Sequence, residues 1–224
     1  MTLPAFQAAG SGHETSVAWP AHSSGHFGLL VIESAGGTVA TPSGWTLIGV
    51  CDNTAFSTKI TVFYRFATSN AESNASLSGG TNHMWGVIVT YTGVNTATPI
   101  HNKAPLPRGS STAQSAPGLR TFLDDCMIVC CIGWAMDNAG PLSSGETNSD
   151  LGSLSERSDS GTITNNGGGV IVIDGTLATH GTAKPTTFTL GSASALACLS
   201  LALQAADKVD QRTANKSRAV NTGM

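Results

Sequence analysis

The sequence predicts an all-β protein, an antiparallel β-sandwich of jelly-roll or Greek-key type, on three observations. Residues 27–66 string together three strand-like runs (FGLLVIE, WTLIGVC and KITVFYRF) with only turn residues between them. In the third run Ile60, Val62, Tyr64 and Phe66 alternate with Lys59, Thr61, Phe63 and Arg65, the period of a strand with one face in a core. The composition agrees. Charged residues make up 11% of the chain against roughly 25% in average soluble proteins, and Gly, Ser, Thr, Ala and Asn fill the difference.

Each element can be justified in order. Residues 13–19 (HETSVAW) form a short edge strand stopped by Pro20. The joints at 34–38 (SAGGT) and 41–44 (TPSG) carry residues that favour turns. A Ser-, Asn- and Gly-rich loop at 68–82 leads to a fourth strand at 83–91 (HMWGVIVTY). The segment 95–118 holds four of the nine prolines and shows no apolar periodicity, so it reads as a long crossover. The run at 126–134 (CMIVCCIGW) is apolar on both faces and needs cover on both sides. One sheet covers one face, and the other needs a long loop or a neighbouring subunit, with Met127, Val129 and Cys131 as the candidate subunit interface. Residues 142–166 read as loop, and 169–174 and 195–204 as two further strands.

The second half repeats the grammar of the first. The stretch 124–129 echoes 28–32, 169–174 echoes the Ile60 strand, and 195–204 echoes 83–91. A single domain over 1–204 with a loose two-half pattern follows. Residues 205–224 have no apolar face to bury and contain Lys208, Arg212, Lys216 and Arg218, which predicts an extended interaction arm.

Composition also bounds function. A net charge of −3 gives no basic footprint for nucleic acid, and no apolar run is long enough for a membrane-spanning helix. The start lacks the pattern of an export signal, which predicts synthesis and assembly in the cytoplasm with five reduced cysteines. A search for chemistry finds no Gly-x-Ser-x-Gly elbow, phosphate-binding loop or calcium loop. His13, His22 and His26 fit turn capping better than metal ligation, and Asp124-Asp125 fits a solvated strand entrance better than a carboxylate pair. Trp19, Trp45, Trp85 and Trp134 fit packing better than a sugar-stacking platform. No catalytic residue, cofactor or metal is expected.

The strings Gly28-Leu-Leu-Val-Ile, Pro42-Ser-Gly-Trp-Thr-Leu-Ile-Gly49, Thr61-Val-Phe-Tyr-Arg-Phe-Ala67 and Val87-Ile-Val-Thr-Tyr-Thr-Gly-Val94, with Pro99-Ile-His, resemble a pattern found in β-sandwich proteins of tailed-bacteriophage virions. The resemblance covers the first half well and the second half loosely. It implies a structural role without catalytic residues: a capsid decoration or cement protein that binds the major capsid protein and neighbouring copies, as a homo-oligomer (a trimer), located in the virion. The alternative it implies is a receptor- or glycan-binding module of a tail fibre or baseplate.

Overall fold

A computed structural model describes residues 2–208 of the chain. Its first half comprises β1 (Ala5–Ala9), β2 (Ser16–Val17), β3 (Phe27–Ser34), β4 (Thr46–Asn53), β5 (Thr58–Phe66), β6 (Ala75–Ser76) and β7 (Met84–Thr92). Its second half comprises β8 (Ile100–Ala116), β9 (Leu119–Arg120), β10 (Cys126–Trp134), β11 (Ser143–Thr147), β12 (Gly152–Thr162), β13 (Gly168–Leu177), β14 (Thr182–Ala183) and β15 (Thr186–Leu203). Among the described residues the only helical segments are 3-10 turns at Thr54–Phe56 and Thr164–Asn166. The larger sheets run β1-β7-β3-β5-β4 and β11-β15-β10-β13-β12, with β8 also paired to β15. Every pairing is antiparallel, and the two sheets pack face to face as an all-β sandwich.

The halves share one plan. Strands β1, β7, β3, β5 and β4 of the first sheet have counterparts β8, β15, β10, β13 and β12 in the second. The small pair β2–β6 is matched by β9–β14, and each 3-10 turn precedes the equivalent strand, leaving β11 as the one added strand. Register agrees residue by residue: Val31 lies between Val62 and Val87, and Cys131 lies between Val172 and Leu199. The stacking order then reverses, with β1 over β12, β7 over β13, β3 over β10, β5 over β15 and β4 over β8. That reversal is what an approximate two-fold axis between two copies of a five-stranded unit produces. The three sequence echoes fall on β3/β10, β5/β13 and β7/β15.

Two segments differ from the sequence expectation. The expected crossover at 95–118 contains the 17-residue strand β8. Pro105 and Pro107 are tolerated there because β8 pairs with β15 alone and its exposed positions need no donor. Alternation is present, with Lys103, Pro105 and Pro107 outward and Ala104, Leu106 and Arg108 half-buried. The expected loop at 142–166 contains β11 and β12. Both lie at a sheet edge, where polar residues are accepted on either face.

The core between the sheets is built from alternate residues of the central strands. Phe27, Leu29 and Val31 of β3 meet Met127, Val129 and Cys131 of β10, with Val62, Val87, Val172 and Leu199 beside them. The expected subunit contact through Met127, Val129 and Cys131 is therefore corrected: all three are buried within the chain's own core. Cys126, Ile128, Cys130, Ile132 and Trp134 point the other way, and Leu119, Leu142 and Ala183 of the chain's own loops help to cover them. The first sheet is covered in the same manner by Val17, Val39, Trp45 and Leu77. A sandwich of this kind has two sheets and two outer layers of loop. All five cysteines are unpaired and buried.

The expectation of an arm starting at residue 205 is corrected for residues 205–208. Ala205 is fully buried and bridges to Val94, the Ala206 amide donates to the Gly93 carbonyl, and the Asn95 side-chain amide donates to the Lys208 carbonyl at 3.0 Å. Lys208 also pairs with Asp125 at 3.2 Å. Residues 205–208 are thus fastened to their own sandwich, and Arg212, Lys216 and Arg218 lie outside the described residues.

Candidate functional site

One cluster of buried charge lies at one end of the sandwich. Glu33, the penultimate residue of β3, points into the inter-sheet space with no exposure. Its Oε1 accepts the Thr58 hydroxyl at 3.0 Å, and its Oε2 lies 2.8 Å from His83 Nε2. His83 enters just before β7, beside β3 in the sheet. The second half makes room for the pair. A Cβ on Gly168 would stand 2.3 Å from Glu33 Oε2 and 2.4 Å from His83 Nε2, and one on Gly133 would stand 2.8 Å from Glu33 Cγ. Both positions require glycine for close approach rather than for a turn.

Burial pushes the Glu33 carboxyl up to about 7, against the opposing hydrogen bonds from His83 and Thr58. Burial lowers the His83 imidazole, but the hydrogen bond and charge of Glu33, helped by the Asn165 backbone and Asp137, raise it overall. The pair holds a shared proton past neutrality, because removing it would leave an uncompensated buried anion. The folded chain therefore binds more protons here than the unfolded chain from about pH 4.5 to about 7 and beyond, so this stability is present at acid pH and is lost as pH rises through neutrality. Urea denaturation is expected to show the protein more stable at mildly acid than at mildly alkaline pH, and Glu33→Gln should flatten that slope. An unchanged slope in the variant would refute this account of the pair.

A second buried cluster ties the sheets together on the opposite side of the core. Arg157 of β12 contacts both oxygens of Asp174 on β13, at 2.9 and 3.0 Å through Nε, and its Nη2 adds a 2.9 Å contact. The Tyr91 hydroxyl of β7 donates to Asp174 Oδ2 at 3.1 Å. Burial raises Asp174 despite these partners.

A hollow of about 450 Å³ opens between the sheet edges β4 and β8 and is walled by Leu47, Tyr64, His101, Asn102 and Lys103. Lys103 Nζ donates across it to the Ile48 carbonyl, and Asn53 donates to the Arg108 and Leu196 carbonyls at 2.8 and 2.9 Å. These side chains close the seam and satisfy edge carbonyls. Beside the seam, Leu47 and Val50 of β4 remain 49% and 42% exposed.

Other residues flagged in the sequence have local duties. His13 Nδ1 accepts the amides of Thr15 and Ser16, and the His22 imidazole lies against Trp19, which stacks on Trp45. Asp124 pairs with His180 at 2.7 Å. Trp45 and Trp134 are core residues, and Trp85 donates its indole N–H to Ser160 at 3.1 Å. Among the described residues no cluster of three metal-ligating side chains occurs, and no helix is long and apolar enough to cross a membrane. No family model, curated protein or solved structure matches the chain.

Proposed function

We propose that the chain is a structural component of a phage virion, a capsid decoration protein that binds the major capsid protein and neighbouring copies of itself. The observation that carries this reading is the edge strand β4, which leaves Leu47 and Val50 about half exposed beside the seam. Sheet edges are normally blunted by charge or covered by loops, because exposed apolar edges pair with other chains. Here both sheet faces are covered by the chain's own loops while this edge keeps its apolar residues. Such an arrangement suits a rigid block that is joined to its neighbours at its rim.

Sedimentation velocity at micromolar concentration is expected to show a discrete oligomer, a trimer on the present reading. Leu47→Asp combined with Val50→Asp should shift it to monomer with only a modest fall in melting temperature, since about half of each residue is already exposed. Co-sedimentation with shells of the cognate major capsid protein tests the virion assignment. A wild-type chain that is monomeric and fails to pellet with shells would overturn the reading.

A further inference from the structure

The two equivalent 3-10 turns, one from each half, converge on a single hollow of about 350 Å³ at the Glu33–His83 end of the molecule. Phe56 and Ser57 line it from the first half, Asn166 and Gly167 from the second, with Asn82 and His83 beside them. Its volume is near the lower end of the range of about 300–1,000 Å³ usual for small-molecule sites. The turns occupy the same place in the plan, yet where one has Phe56 the other has Asn166.

Three features indicate what fits. Phe56 is 45% exposed on a turn that buries none of its residues, so its ring is available at the rim instead of serving the core. His83 is a wall of the hollow but its imidazole is spent on Glu33 and is only 3% exposed, so the polar groups within a ligand's reach are the exposed amides of Asn82 and Asn166. With the Glu33–His83 pair sharing one proton and so net neutral, the remaining nearby charge is negative, from Asp137 and Glu14, and no lysine or arginine lines the hollow. Anions are disfavoured here.

We propose that this hollow binds a neutral sugar ring, with one face of a hexopyranose against Phe56 and its hydroxyls exchanging hydrogen bonds with Asn82 and Asn166. A pyranose joins an apolar C–H face to a rim of hydroxyls, and the hollow joins one aromatic face to two amides. A nucleotide offers a ring to stack but brings phosphate into a field of carboxylates. This is a different surface from the β4 edge, and failure of either assignment leaves the other standing.

The test is saturation-transfer NMR and titration calorimetry on the full chain, with glucose, galactose, mannose and N-acetylglucosamine as neutral probes. N-acetylneuraminic acid and adenosine serve as comparison ligands. At least one neutral hexose is expected to bind at millimolar concentration or below. Phe56→Ala, which removes no buried side chain, is expected to weaken it by about tenfold, the size of one aromatic contact. Asn166→Gly, which keeps the positive φ of that turn, should weaken the same hexose, with circular dichroism verifying its fold. No binding by any hexose would overturn the proposal. So would equal binding to the Phe56→Ala chain, or tighter binding of N-acetylneuraminic acid or adenosine.

Discussion

Arg157→Met is expected to destabilise the folded chain by about 3–5 kcal/mol at mildly alkaline pH, the usual cost of removing one partner from a buried ion pair. Asp174 has no side-chain exposure, and without the guanidinium its only remaining hydrogen bond is the one from Tyr91. The loss should shrink as the pH falls. Burial already raises the Asp174 carboxyl, and without Arg157 it rises further, so the folded state takes up a proton that the unfolded state does not hold. Stability of the variant is then greatest at acid pH and falls as pH rises. Urea denaturation of wild type and variant at about pH 5.5 and about pH 8 measures both the cost and its pH dependence. A variant as stable as wild type at both values would show that the Arg157–Asp174 pair contributes nothing net to the joint between the sheets.

Trp134→Ala is expected to cost about 3–5 kcal/mol, through lost burial and the cavity left behind. For a chain of this size that lowers the melting temperature by on the order of 10 °C. Trp134 is completely buried, and its ring rests on glycines: a Cβ on Gly161 or Gly169 would lie 2.6 or 2.1 Å from Cζ2. With so little freedom around it, the site cannot collapse onto the void. Trp134→Phe should be far milder, because the indole N–H it removes has no hydrogen-bond partner. Thermal melts of the two variants decide the matter, and similar melting temperatures for both would refute the packing explanation.

Legibility in the sequence followed apolar contrast. The central strands β3, β5, β7, β10 and β13 stood out because their inward faces are filled by Val, Ile, Leu and Phe, and the echoes between halves were visible there for the same reason. The edge strands β8 and β12 were hidden, since an edge strand pairs on one side only and tolerates Pro105, Pro107 and runs of Ser. The candidate site was hidden more deeply. Glu33 ends an apolar run and belongs to no motif, and the structure buries it. A carboxylate inside an otherwise apolar strand was the available signal, but its partner His83 lies 50 residues away and only the pairing of β3 with β7 brings them together. The interface assigned to Met127, Val129 and Cys131 failed because a two-faced apolar strand does not reveal whether a neighbour or the chain's own loops cover it.

The repeated plan also explains how a charged pair can sit buried between the two sheets. In a dimer of identical units every substitution appears twice, and near the axis a residue faces its own copy. Glu33 and Gly133 hold equivalent places in their strands and lie against each other, too close for a side chain on both. Two identical subunits would have to place glutamate against glutamate there, or glycine against glycine. One polypeptide carrying both units can change each side separately, placing the acid in one half and the space for it in the other.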